Sequence, residues 1–332
     1  MSTSNISLKK VFPRAEGSSW ILSIGRLAAL FFIMVLMTFL TRSPEHGFVF
    51  LNISNLLNVF RNASILIIIG IGETIVLTAK DVDLSIGSMI SLTSVVAAIM
   101  MNKLGLPVPI AIISSLIIGI LLGLVNGLLI TYVGLPPFIA TFGMLWVLFG
   151  FAYLILRGAV VYGFPESFRF IGIGALFGIP MPIIIMAVIF VLSYLLLHYS
   201  TLGRRFFATG ANPEAAKMSG IKVNQIVITA YVISGFLSAL AGLVLIAYTN
   251  GSDNVIGSGY LLPVMAIVVM GGTSLAGGAG SLIGTLIAAL IMAVINNGMN
   301  ILAVPGAWQK LVVGIMIISA VLLDQWVRKS NN

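Results

Sequence analysis

IVITAYVISGFLSALAGLVLIAYT, residues 226 to 249, contains no charged side chain. Roughly 20 mostly apolar residues are what a helix needs to cross the hydrocarbon core of a bilayer, so this stretch reads as a membrane span. Its small residues Ser234, Ser238 and Gly242 recur at four-residue spacing, which sets them on one helix face where a neighbouring backbone can approach closely. The whole chain agrees. Of its 332 residues 59% are hydrophobic and 8% charged, and the mean hydropathy is +1.16, far from the values of a soluble domain.

Ten segments qualify as spans, at about 20–41, 58–79, 84–102, 108–132, 137–156, 180–199, 226–249, 261–273, 280–299 and 307–326. The third and eighth are the weakest, and their Gly-, Ser- and Asp-rich surroundings fit helices that break or re-enter the membrane. The expected fold is an all-α polytopic bundle of about ten transmembrane helices, one membrane domain at 20–326 between short tails at 1–19 and 327–332. The first run follows Lys9, Lys10 and Arg14 but reaches Leu40 with no small-residue cleavage site, so it reads as a retained span and not a signal peptide. An even number of spans puts both termini on one side. Placing them in the cytoplasm puts Lys9, Lys10, Arg14, Lys80, Arg204, Arg205, Lys217, Lys222, Arg328 and Lys329 inside, against Arg42, Arg61, Lys103, Arg157 and Arg169 outside, the bias expected of cytoplasmic loops. Trp20, Trp308 and Trp326 fall at span ends as interfacial anchors, whereas Trp146 lies mid-span and reads as packing. Gly119, Gly123 and Gly127, and Gly280 with Gly284, form further close-contact faces.

Cysteine is absent and only His46 and His198 offer imidazole, which argues against zinc and haem chemistry. The net charge of +8 is accounted for by cytoplasmic loops and implies no nucleic-acid partner.

Four polar features interrupt this apolar background. In GANPEAAKMSGI, 210–221, Asn212 suits an N-cap, Pro213 the first helical position, Glu214 the positive end of the dipole and Gly220 a left-handed exit. These define a helix of about two turns in a loop at 200–225, marginal unless something packs on it. Its neighbours Arg204, Arg205 and Lys222 suit lipid headgroups or a protein partner. In KDVDLSIGSMISL, 80–92, Asp83 either caps the third span or, with Ser85, contacts a solute or ion where a broken helix frees backbone groups. MGGTSLAGGAGSLIG, 270–284, has Gly278 where a phosphate-cradling loop needs Lys, and no strand precedes it. Gly271, Gly272, Gly277 and Gly278, like Gly87 after Ser85, are instead structural, permitting tight turns and close contact between the eighth and ninth spans. Lastly, Glu73, Asn126, Thr141, Asn296, Asn297 and Asn300 lie inside spans. An ionisable residue there is costly and marks function. The asparagines either join helices by hydrogen bonds or line a path, where neutral amides and hydroxyls suit a polyhydroxylated solute better than an ion.

From about residue 50 to 325 the chain resembles the membrane permease subunits of ribose-type ABC sugar importers, and more distantly the branched-chain amino-acid permeases. The resemblance rests on VDLSIGS (82–88), PPFIATFG (136–143), LGRRFFATGANPEAAKMSGI (202–221), GGTSLAGGAGSLIGT (271–285) and NNGMN (296–300). It implies a multi-pass subunit of the bacterial inner membrane that is not itself an enzyme. It also implies a second permease subunit, cytoplasmic ATPases holding the ATP and Mg²⁺, and an extracytoplasmic solute-binding protein. Gly210, Asn212, Pro213, Glu214, Ala215, Ala216, Ser219 and Gly220 then match the segment that docks into the ATPase. The chain departs from the family pattern at Lys80 and Asp81, at Glu73, and at Leu261, Leu262 and Pro263, the last set resembling one subunit of the two-permease autoinducer-2 importers. Pentose, hexose, autoinducer-2 and nucleoside stay open as substrates, as do homodimer and heterodimer. An ion-coupled transporter using Asp83 and Glu73 is the rival reading; a membrane enzyme is disfavoured, since no nucleophile, base and orienting acid stand together.

Overall fold

Apolar stretches too long for a soluble core become thirteen α-helices in the computed structural model, which describes residues 16–43 and 47–330, with side chains described for 24–43, 47–319 and 322. In chain order these are α1 (Glu16–Leu40), α2 (Ile53–Thr78), α3 (Ile86–Asn102), α4 (Val108–Thr131), α5 (Pro137–Leu156), α6 (Glu166–Ile173) and α7 (Met181–Tyr199). Then follow α8 (Thr201–Ala211), α9 (Pro213–Met218), α10 (Val223–Thr249), α11 (Leu261–Met270), α12 (Leu282–Ile301) and α13 (Gly306–Ser330). Lys9, Lys10, Arg14 and His46 lie outside the described residues, as do the side chains of Trp20, Trp326, Arg328 and Lys329.

Among the described residues six helices are long and apolar enough to cross a membrane: α2, α4, α5, α7, α10 and α12. Their burial sorts them into two layers. The crossing windows of α2, α10 and α12 are 83%, 78% and 67% buried, against 22%, 28% and 17% for α4, α5 and α7. The first three therefore form the centre and the others an apolar outer wall, the polarity a lipid solvent demands. Four shorter apolar helices, at Ile24–Leu40, Ile86–Asn102, Leu261–Met270 and Gly306–Ser319, coincide with the remaining expected segments. The segment at 261–273 is helical only over Leu261–Met270. At about 1.5 Å per residue that is roughly 15 Å, half the hydrocarbon thickness. The cause is local: Gly272 turns left-handed at φ +86°, and its N–H and that of Thr273 close onto the carbonyls of Val269 and Val268, ending the helix.

Glycine decides how α10 is gripped. A Cβ on Gly123 would strike the Tyr231 backbone, one on Gly119 the Gly235 carbonyl and one on Gly127 the Ile228 Cα, so α4 lies directly on α10 along its small face. On other faces of α10, Ser234 meets Gly72 of α2, and Gly242 meets Ile90 and Ser94 of α3. Gly271 likewise sits on Gly284 and Thr285, the close contact expected between the eighth and ninth spans.

Trp146 is 64% exposed on α5, so most of it faces the surroundings of the bundle; mid-span position alone does not say which side of a helix is inward. Residues 157–179, where no element was expected, contain α6, preceded by Pro165 and anchored by buried Phe168. They also carry β1 (Val161–Tyr162), which pairs antiparallel with β2 (Gly251–Ser252).

Candidate functional site

At one end of the bundle α9 packs on α8 and α10 through one side and leaves the rest of its surface exposed. Asn212 Oδ1 accepts from the backbone N–H groups of Glu214 and Ala215, both at 3.1 Å, and Pro213 opens the helix. At the far end Gly220 adopts φ +83°, its N–H bonds the Lys217 carbonyl and the Ile221 N–H bonds that of Ala216, each at 3.0 Å. Both termini are thus closed by backbone geometry, as the residue types implied. Only Ala216 is buried; Glu214, Ala215, Lys217, Ser219 and Gly220 are exposed, and Met218 is 90% exposed. Two clefts flank the helix, one of about 560 Å³ along Pro213, Lys217, Lys222 and Tyr132, the other of about 400 Å³ beside Arg204, Arg205 and Ser219.

Beneath α9 three backbones cross. A side chain on Gly210 would enter the Thr78 carbonyl and the Gly278 amide, and Gly278 N–H donates to Thr78 O at 3.0 Å. Gly277 and Gly278, at φ +82° and +72°, bring the 271–281 loop onto Lys80 and Ala211. The end of α8, the end of α2 and this loop are therefore one joint.

Five of the sequence-derived path residues meet in a single buried network. Asp83 Oδ1 accepts from Ser85 N–H (3.0 Å) and Ser85 Oγ (2.6 Å), and its Oδ2 from Ser234 Oγ (3.1 Å). Glu73 Oε1 accepts from Asp83 N–H at 3.3 Å, and Asn126 Nδ2 donates to Ser85 Oγ at 2.8 Å. Thr141 and Tyr231 both donate to the Val82 carbonyl. Asp83 thus caps the turn leading into α3, while α2, α4, α5 and α10 are tied to that turn. Glu73, Asp83, Ser85, Asn126 and Thr141 are each 0% exposed. Glu73 Oε2 and Asn126 Oδ1 have no hydrogen-bond partner among the described residues. Gly87 completes the region by lying against the Gly257 carbonyl.

Asp81, on the linker between α2 and α3, is pushed by burial up to about 7, with the Tyr231 hydroxyl beside it pulling the other way. Between the ordinary value near 3.8 and about 7 it is protonated when folded and ionised when unfolded, so stability falls as pH rises through that window. Asp81→Asn is expected to flatten the fall; melting of the detergent-solubilised protein at pH 5 and pH 8 checks it, and equal slopes in both proteins would contradict it.

Asn296, Asn297 and Asn300 lie elsewhere, at the opposite end, where α2, α12 and the starts of α11 and α13 enclose a cleft of about 300 Å³. Its lining adds Asn62, Tyr260 and Gln309, which the sequence reading did not select. Asn62 lies one helical turn after Asn58 near the start of a long apolar run, a signal that was available; Gln309 and Tyr260 come together with it only through the fold. The two polar clusters, the α9 protrusion and the cleft are set in an apolar helical bundle, the arrangement of a membrane transport subunit.

Comparison with known proteins agrees. A family described as the permease component of branched-chain amino acid transport systems matches residues 55–321, and the chain belongs to it. The ribose import permease protein RbsC of Escherichia coli is 37% identical over 98% of this chain and 99% of its own length. The protein of the same name from Bacillus subtilis is 40% identical over 91% and 92%, and the autoinducer 2 import system permease protein LsrD of an Enterobacter species 33% over 79% and 83%. No solved structure matches the chain at a significant level.

Proposed function

We propose that this chain is the membrane-spanning subunit of an ATP-driven importer and carries a ribose-like monosaccharide handed over by a solute-binding protein. The observation that carries the ATP-driven part is α9: a two-turn helix, closed at both ends and bare on its outer side, is completed by a partner surface. That partner is a cytoplasmic ATPase, which holds the ATP and Mg²⁺ and seats Gly210, Asn212, Pro213, Glu214, Ala215, Ala216, Ser219 and Gly220 through the 200–225 loop. The clefts on either side of α9 give such a surface room to close. The ten-span count, the membrane domain at 20–326 and cytoplasmic placement of both termini are supported by the four shorter apolar helices and by the excess of Lys and Arg on the α9 side. A second permease subunit, identical or different, pairs with this one in the lipid.

Motion transmits through rigid parts. Closure of the ATPases moves α9, the glycine joint at Gly210, Thr78 and Gly278 passes the shift to α2 and the 271–281 loop, and α2 reaches the cleft with Asn62 at its other end. The amides of the cleft form the substrate path, with Asn296, Asn297 and Asn300 on α12, while Glu73, Asp83, Ser85, Asn126 and Thr141 hold together the helices that move. Among relatives, the ribose import proteins favour a pentose. Pro263 in the cleft lining, part of the Leu261-Leu262-Pro263 departure, favours autoinducer-2 as second reading. Uptake of radiolabelled D-ribose and of autoinducer-2 by cells lacking and regaining this chain decides between them. Uptake is expected to survive collapse of ion gradients and to stop on ATP depletion; dependence on a gradient without ATP would overturn the reading.

A further inference from the structure

Six asparagines lie on α2 and α12, and most are occupied. Asn55 and Asn297 exchange two hydrogen bonds, at 3.0 and 2.8 Å, and so pin one helix to the other. Asn58 Oδ1 accepts from Arg61 at 2.8 Å, and Asn300 Oδ1 accepts from Gln309 at 2.9 Å. The side-chain amides of Asn62, exposed, and Asn296, half-buried, form no hydrogen bond with any described residue, and both line the same cleft. Two side-chain amides from different helices, left open to one cleft with their donors and acceptors available, mark a place where a polar ligand is held. We infer that Asn62 and Asn296 are the pair that reads the sugar hydroxyls, and that Asn297 with Asn55 is a positioning pair. This rests on the importer reading above.

The rest of the cleft fits one small polyol. Leu66, Ala293 and Pro263 supply an apolar wall, suited to the C–H face of a sugar ring, while amides supply both donors and acceptors and no net charge. At about 30 Å³ per water, a cleft of about 300 Å³ has the space of about ten waters, enough to hold one monosaccharide.

The test uses cells carrying the complete importer, with D-ribose, D-allose and D-galactose uptake measured for wild type, Asn62→Leu, Asn296→Leu, Asn62→Ser, Asn296→Ser and Asn297→Leu. The Leu variants at 62 and 296 are expected to raise the KM for the transported sugar by about tenfold each, the loss of one hydrogen bond at the upper end of its usual worth. Membrane protein level stays unchanged, and the Ser variants, which keep a donor and an acceptor, recover part of the loss and shift preference among the three sugars. Asn297→Leu instead lowers the amount of folded protein. Wild-type KM in both Leu variants overturns the assignment alone, as does a drop in uptake that tracks protein level in the Leu and Ser variants alike. A wild-type chain that imports none of the three sugars overturns the sugar reading itself, and the assignment with it.

Discussion

Lys217→Pro is expected to abolish solute uptake and solute-stimulated ATP hydrolysis while the bundle stays folded in the membrane. Lys217 lies in the last turn of α9, exposed, so the change removes no packing. A proline there clashes with the carbonyl four residues back and deletes a helical hydrogen bond, a cost of about 3 kcal/mol. A six-residue helix has almost nothing to set against that, since short helices are marginal by themselves. A proline in the first turn, at Ala215, would instead break only the capping bond to the Asn212 side chain, because no intrahelical bond is lost there. Transport at wild-type rate by Lys217→Pro, with the protein at normal level, would remove α9 as the mechanical link. A fall in both uptake and protein level would place its role in folding.

The second large effect belongs to Asp83→Ala. Its carboxylate accepts three hydrogen bonds, from Ser85 N–H, Ser85 Oγ and Ser234 Oγ, and no part of the residue is exposed. Hydroxyls can turn toward other acceptors, but the Ser85 amide is held by the backbone and is left bare. At about 1–3 kcal/mol for the bare amide and about 0.5–1.5 kcal/mol for each of the two hydroxyl bonds lost, the loss comes to about 2–6 kcal/mol, a large part of the 5–15 kcal/mol that holds a typical protein folded. A drop of about 3–9 °C in melting temperature follows, since an unfolding entropy of about 2 cal/mol/K per residue is spread over 332 residues. Asp83→Asn, which keeps an acceptor at Oδ1, should recover most of it. Melting of the purified protein in detergent measures both; an Ala variant within two degrees of wild type would mean that the network contributes little.

How much of this was legible beforehand differs by the kind of feature. The caps of α9 are local: Asn212, Pro213 and Gly220 act on backbone groups within three residues of themselves, so residue types in order are enough to foresee them. The same holds for the apolar runs, because length and composition alone decide whether a helix suits lipid. The early end of α11 was half visible, in the glycines that follow it. The intramembrane polar residues were found as a set, yet their division into a buried network and a cleft was not foreseeable, because a helix position in an apolar run carries no mark of which neighbour it meets. Trp146 shows the same limit, being mid-span and still exposed.

By itself, then, the amino-acid order determined a polytopic helical membrane protein, the sites of its helix breaks and a capped, cation-flanked protrusion, all of which depend on interactions within a few residues. Only the tertiary structure decided that Glu73, Asp83, Ser85, Asn126 and Thr141 hold helices together, that Asn297 and Asn300 have partners, and that Asn62 and Asn296 are left free in one cleft. The reason is that hydrogen bonds in an apolar medium are satisfied by whatever group the packing of distant helices brings within about 3 Å, and that distance is set by small residues such as Gly72, Gly123 and Gly210 acting between segments far apart in the chain.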